Sequence, residues 1–230
     1  MRVVSWNLGY WTPGTYKGVD NRRRQWDYLL GLEPTIALLQ ECRPEDLANL
    51  TASRGADFQV VGAIPIGWTA CSAIVVPRDL DVVQATPDTP WLEYLSGYVA
   101  RAELPGLLTG SPLRIASVHA SAKAVTDPVL SLSDHGALKR PGCAQAWHCD
   151  LVAAALRPWA GTKFVIAGDW NTARLFDTTY PGQWPDAGKD FFALLAGWEW
   201  DETARRLHPE EIATFRSQNE GPKLGDYQLD

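Results

Sequence analysis

Four polar groups stand directly behind short apolar runs. Asn7 follows Val3–Trp6, and Gln40 with Glu41 follows Ile36–Leu39. His119 closes Ile115–Val118, and Gly168, Asp169, Trp170 and Asn171 follow Phe164–Ala167. A fifth, Asp230, comes after Tyr227–Leu229. Apolar runs of this length read as buried strands, so each polar group stands where a strand ends. Strand ends on one rim of a sheet can aim an amide, carboxylates and an imidazole at one place. Such a set suits a hard divalent cation, since Mg²⁺ takes oxygen ligands and is held by one or two carboxylates plus water. It would also set an imidazole beside a phosphate. Taken singly, each group has an ordinary reading. Asn7 can cap a turn, Glu41 can be a solvated loop acid, and His119 can be a hydrogen-bonded structural histidine. Asp169 and Asn171 can bond to their own loop backbone. Their shared position behind apolar strands argues for chemistry.

The elements that must position these groups alternate along the chain. Strands are expected at Arg2–Trp6, Ile36–Leu39, Phe58–Ile64, Cys71–Val76, Leu80–Ala85, Gly97–Glu103, Leu113–Val118 and Lys163–Ala167. Two more are expected at Ala213–Arg216 and Asp226–Leu229. Arg22–Gly31 reads as a helix with Trp26, Leu29 and Leu30 on one face, broken before Pro34. Cys143–Arg157 reads as a second helix, with Trp147, Leu151, Ala154 and Ala155 in one stripe and Pro158 as its stop. Asp190–Ala196 is a third, ended by Gly197. Ser121–Gly142 reads as a polar loop. Strand runs interleaved with a few helices predict two sheets packed face to face with helices outside.

Composition narrows the class. The 230 residues are 46% hydrophobic and 21% charged, an ordinary globular balance that excludes disordered and fibrous classes. Net charge is −6, and residues 161–230 hold 12 of the acidic residues against 7 basic ones. A protein that coats nucleic acid through a broad basic face is therefore not expected. A metal enzyme acting on phosphate esters is still allowed, because carboxylates gathered around a cation look acidic in the sequence. No apolar run is long enough to span a bilayer, and Met1–Gly9 lacks the basic start and apolar stretch of a signal peptide. A cytoplasmic monomer with no membrane association is expected. The four cysteines (Cys42, Cys71, Cys143 and Cys149) form no CxxC pair and are expected to be free thiols. Cys143, His148 and Cys149 have poor spacing for zinc.

The ordered motifs carry a family resemblance. Ser5-Trp6-Asn7, Leu39-Gln40-Glu41, Ser117-Val118-His119 and Ala167-Gly168-Asp169-Trp170-Asn171 resemble those of the endonuclease/exonuclease/phosphatase family, which includes deoxyribonuclease-like and apurinic-endonuclease-like enzymes. Tyr227-Gln228-Leu229-Asp230 resembles its penultimate motif. The resemblance implies an α/β, four-layer sandwich of two mainly antiparallel sheets and metal-dependent cleavage of phosphoester bonds. It also implies roles. Glu41 would be the principal Mg²⁺ ligand (Mn²⁺ being an alternative ion), with Asn7 beside the metal. Asp169 would orient or deprotonate the attacking water, and Asn171 would hold phosphate oxygens. His119 would donate to the phosphoryl group, and Asp230 would orient a catalytic imidazole.

The family's terminal Ser-Asp-His motif has no counterpart after Asp230. Residues 1–230 are thus expected to form a single domain lacking the last strand and that motif. The string Ser133-Asp134-His135 runs into Gly136-Ala137-Leu138-Lys139-Arg140 rather than an apolar strand, and reads as loop. Two regions could read a substrate. Gly9–Arg24 holds Trp11 and Arg22, and Arg174–Trp184 holds Arg174. Aromatic faces stack on bases and arginines pair with phosphates. Alternatively, Arg22–Arg24 could simply begin a helix on its solvent side. The leading function is a Mg²⁺-dependent phosphodiesterase, with nucleic acid the favoured substrate. A phosphatase or phospholipase-type hydrolase of small-molecule or lipid phosphoesters, or a degenerate member that binds without cleaving, remains open.

Overall fold

The computed structural model describes residues 1–9, 19–54, 57–62, 70–85, 94–125, 138–141, 143, 145–172 and 188–207. The chain divides into two compact units: Met1–His119 with Thr162–Asp169, and Ala120–Gly161 with Trp170–Asp230. Trp11, Arg174, Asp230, the Ser133–His135 string and the two strands expected after residue 212 lie outside the described residues.

The first unit holds both sheets. Strands β1 (Val3–Asn7), β2 (Ile36–Cys42), β3 (Phe58–Val61) and β4 (Cys71–Pro77) form one, in the order β1-β2-β4-β3. Strands β5 (Val83–Gln84), β6 (Val99–Leu104), β7 (Leu113–His119) and β8 (Phe164–Asp169) form the other, in the order β5-β6-β7-β8. Each sheet is mixed. β1 pairs parallel with β2, and β7 pairs parallel with β8, while the remaining pairings are antiparallel. The architecture is an α/β sandwich.

Alternation along the strands sorts the core into two layers. Ile36 and Leu38 of β2, Ile74 and Val76 of β4, Ala100 and Ala102 of β6 and Leu113 and Ile115 of β7 meet between the sheets. The opposite face of the first sheet (Ala37, Leu39, Ala73, Val75) packs on two helices, α1 (Val19–Gly31) and α2 (Pro44–Arg54). Leu29 is fully buried there with Trp26 and Leu30 beside it, the stripe that the sequence periodicity predicts. At roughly 1.5–3 kcal/mol per buried large aliphatic side chain, these two layers are the main cohesive force of the unit.

Several boundaries differ from the sequence reading. α1 begins at Val19 rather than Arg22, so Arg22 belongs to the helix, and Arg23 and Arg24 are exposed on it. α2 is absent from the sequence reading because only Leu47 and Leu50 mark its apolar side. Its signal is instead at the start, where Pro44 precedes Glu45 and Asp46 in the first turn. β5 shrinks to two residues at an exposed sheet edge.

The second unit contains α3 (His148–Leu156), a 3-10 turn at Arg157–Trp159, α4 (Gly188–Gly197) and α5 (Thr203–Leu207). α3 starts five residues later than its apolar stripe predicts. Trp147 is extended, bridges to Ala124, and donates its N–H to the Asp150 carboxylate at 2.9 Å, which caps the helix there. Pro158 sits inside the 3-10 turn that ends it. Arg140 and Asp150 form a buried ion pair at 2.6 Å, with the guanidinium over the Phe191 ring. Burial raises the Asp150 carboxyl above its usual range, against the lowering effect of Arg140. Removing either partner would strand the other charge, at a cost of roughly 3–5 kcal/mol.

All four cysteines are free and buried. Burial pushes the Cys71 thiol up to about 12, with Glu45 adding to the shift, and raises Cys42 and Cys149 as well. A thiol-specific reagent should therefore react with almost none of them in the native protein and with all four after denaturation. A disulfide detected by intact mass without reductant would contradict this.

Gly168 is fixed by its backbone. Its φ is +146°, and a Cβ there would lie 2.0 Å from the Val118 carbonyl oxygen on the paired strand. Gly168→Ala should lower stability in urea denaturation by about 3 kcal/mol or more, combining overpacking with a strained φ. Gly31→Ala meets nothing within 4 Å and should be neutral or slightly stabilising.

Candidate active site

Parallel pairing decides where the polar groups collect. In the β1–β2 pair, Asn7 stands opposite Gln40. In the β7–β8 pair, His119 stands opposite Asp169. Parallel partners end at the same edge, so four strand ends present their last side chains on one rim of the first unit. In open α/β sheets, the carboxyl ends of parallel strands are the usual place for a ligand. Side-chain parity also agrees. Val3 of β1, Ile115 of β7 and Val165 and Ala167 of β8 face the inter-sheet core. Asn7, His119 and Asp169 continue those rows by the two-residue period.

Glu41 breaks that period. Ala37 and Leu39 face the helices, so regular alternation would send Glu41 there too. Between Leu39 and Cys42, β2 carries one residue more than β4, pairing Leu39 with Ala73 and Cys42 with Cys71. Glu41 itself has φ +52°. This bulge returns Cys42 to the helix side and delivers Glu41 to the other face. A left-handed non-glycine residue costs roughly 1–2 kcal/mol, and bulges near active sites re-aim side chains in this way. Asn171 has a similar φ of +48°.

The resulting geometry is tight. Asn7 Nδ2 donates to Glu41 Oε1 at 3.0 Å and to Asp169 Oδ2 at 2.8 Å. Asn7 Oδ1 accepts the Gly9 N–H at 2.8 Å, which fixes the amide's orientation. His119 Nε2 lies 3.6 Å from Glu41 Oε1, with those two side chains only 10% and 13% exposed. One ligand atom each from Glu41, His119 and Asp169 lies within 4.8 Å of the others. No other group of three or more His, Cys, Asp and Glu side chains is close enough to hold an ion among the described residues.

Two carboxylates at such separation, largely out of water, repel by on the order of 3 kcal/mol at an effective dielectric near 20. The Asn7 amide offsets part of this, and a divalent cation would reverse its sign. Two carboxylate oxygens fit Mg²⁺ or Mn²⁺, and the imidazole suits Mn²⁺ better than Mg²⁺. Asn7 turns its NH₂, not its oxygen, toward the carboxylates. In this arrangement it orients them, whereas direct ligation would need Oδ1 to face the ion.

The sequence-marked residues fall into four groups, one of them Arg22 alone, which lies in α1. Asn7, Glu41, His119 and Asp169 come together in the first unit. Asn171 belongs to the second unit, where its Nδ2 donates to the Ala120 carbonyl at 2.8 Å. Trp11, Arg174 and Asp230 lie outside the described residues. Tyr98 carries no signal in the sequence. Its carbonyl accepts the His119 N–H at 2.8 Å and the Ser72 hydroxyl at 2.8 Å, and its ring centroid lies 6.2 Å from that of His119. It sits in a turn before β6, with no pattern to mark it.

The chain belongs to the endonuclease/exonuclease/phosphatase family, whose sequence profile matches residues 4–206. Solved structures of low identity share the fold. The AP endonuclease LMAP from Leishmania major superposes with a TM-score of 0.61 at 17% identity, over 94% of this chain and 72% of that one. The endonuclease domain of TRAS1, a telomere-specific non-LTR retrotransposon, gives 0.58 at 16% identity, over 99% and 82%. The 3'-5' exonuclease NExo from Neisseria meningitidis gives 0.55 at 21% identity, over 96% and 80%. No curated protein sequence matches the chain.

The charge balance of the cluster leads to a direct test. Glu41→Gln keeps the shape and removes one of the two carboxylates, so Mn²⁺ affinity, read by electron paramagnetic resonance, should fall at least about tenfold. Equal binding by parent and variant would remove Glu41 from the ligand set.

Proposed function

We propose that this chain is a divalent-cation-dependent phosphodiesterase that hydrolyses nucleic acid. The observation that carries the reading is the Asn7–Glu41–His119–Asp169 cluster at the shared rim of two parallel strand pairs. Family membership supports a phosphoester hydrolase. The relatives of the same fold include an AP endonuclease and a 3'-5' exonuclease, and NExo has also been solved as a 3' phosphatase bound to a product DNA hairpin.

In this reading Glu41 and Asp169 hold the cation, which when bound supplies Lewis acidity to the phosphoryl oxygens. Asp169 orients the attacking water and accepts its proton. Asn7 keeps the two carboxylates in place through its two N–H donors. His119 donates to a phosphoryl oxygen as charge builds there. Asn171 presents its amide to the phosphate. Trp11, Arg22 and Arg174 contact the substrate, by stacking on a base or pairing with a phosphate. The water oxygen bonds to phosphorus as the P–O bond to the leaving oxygen breaks in line, and the leaving oxygen takes up a proton from solvent.

A second reading, a phosphatase or phospholipase-type hydrolase of small-molecule or lipid phosphoesters, is favoured by the acidic balance of residues 161–230. Supercoiled plasmid, a 3'-tailed oligonucleotide, sphingomyelin and a chromogenic phosphate monoester, each assayed with Mg²⁺, Mn²⁺ or EDTA, separate the two. Metal-dependent nicking or trimming, abolished by EDTA, is the outcome that supports the first reading. Asp169→Asn and His119→Ala should each lower the rate by about 10²- to 10⁴-fold, the usual worth of a proton-handling group. Cleavage of the monoester or the lipid alone would move the assignment to the second reading. DNA binding with no cleavage of any substrate would leave a binding protein.

A further inference from the structure

Beneath the rim, a buried side-chain hydrogen bond joins Gln40 and Ser117 across the apolar layer between the sheets. Gln40 and Ser117 are both buried, at 1% and 0% exposure. Gln40 Nε2 donates to the Leu38 carbonyl at 3.0 Å and to Ser117 Oγ at 2.8 Å. The Ser117 hydroxyl in turn donates to the Leu39 carbonyl at 2.7 Å. Gln40 belongs to the first sheet and Ser117 to the second, so this is a hydrogen-bonded link from sheet to sheet. The hydroxyl's one proton and both amide protons are used.

We infer that Gln40 and Ser117 are positioning residues: a strut that sets the separation at which Glu41 of one sheet meets His119 and Asp169 of the other. The inference rests on the metal-hydrolase reading above. Three features carry it. Gln40 is covalently next to Glu41, and Ser117 shares its strand face with His119, one step down the row. The strut also grips Leu39, the last residue in register before the bulge that re-aims Glu41. Finally, cohesion alone does not call for a polar pair here. Apolar side chains of similar volume would hold the sheets without the desolvation cost of burying an amide and a hydroxyl. What hydrogen bonds add is a fixed length and direction.

The test is Mn²⁺ binding by the whole chain, with urea denaturation in parallel to confirm folding. Ser117→Ala and Gln40→Leu should each weaken Mn²⁺ by about tenfold, the size of coupling seen within one hydrogen-bond network. The double variant should be no weaker than the worse single one. Ser117→Thr, which keeps the hydroxyl, should retain parental affinity, a rescue that a volume effect would not give. Should Gln40→Leu fail to fold, Ser117→Ala and Ser117→Thr decide the matter. Parental affinity in a folded Ser117→Ala, or strictly additive losses in the double variant, would overturn the strut and leave the function intact. A parent that takes up no Mn²⁺ would defeat the metal-hydrolase reading itself, and this inference with it.

Discussion

Glu41 reaches its partners only because β2 holds one residue more than β4 between Leu39 and Cys42. A regular strand would turn this carboxylate toward α1 and α2, into an apolar layer of leucines and alanines. There a charged carboxylate could be neither solvated nor paired, and the rim would keep a single acid. The bulge holds a non-glycine residue at φ +52°, a local strain that the surrounding ladder must over-determine. It does so from three sides: the parallel pairing with β1, the antiparallel pairing with β4, and the Ser117 hydroxyl on the Leu39 carbonyl.

The same inter-sheet layer serves two purposes along its length. At the far end it is aliphatic, with Ile36, Ile74, Leu104 and Leu113 excluding water and supplying cohesion. Toward the carboxyl ends of β1, β2, β7 and β8 it becomes polar, first Gln40 and Ser117, then Asn7, Glu41, His119 and Asp169. The chemistry thus sits on rigid strand ends with a packed layer behind it, which limits how far its side chains can drift. Gly168 belongs to this design. The close approach of β8 to the Val118 carbonyl places Asp169 opposite His119, and no larger residue fits there.

The second unit is organised around a different kind of interaction. Arg140 and Asp150 neutralise each other in a buried setting, Asp150 also caps α3, and Phe191 stacks under the guanidinium and against Trp170. Asn171 follows Trp170 in a left-handed conformation, held by the Ala120 carbonyl. Both left-handed candidate residues, Glu41 and Asn171, therefore have their backbone strain balanced by specific hydrogen bonds or pairings close by. That is where functional strain is expected to persist in a native fold.

The sequence alone determined the apolar strands, the stripe of α1 and the polar group behind each strand. These follow from local periodicity and from residue chemistry that does not depend on the rest of the chain. It also supplied the family motifs, because these are short strings around strand ends. The start of α3 was not legible, since an apolar stripe running through Trp147 says nothing of a carboxylate three residues on that caps the helix later. α2 was hidden by having only two apolar positions on its buried side. Which face Glu41 takes was decided by tertiary structure, because alternation assigns it to the helices and only the mismatch with β4 reverses that. The direction of the Asn7 amide was decided there too, by a glycine N–H on one side and two carboxylates on the other. The link between Gln40 and Ser117 joins residues 77 positions apart, and no local pattern connects them until the two sheets are packed.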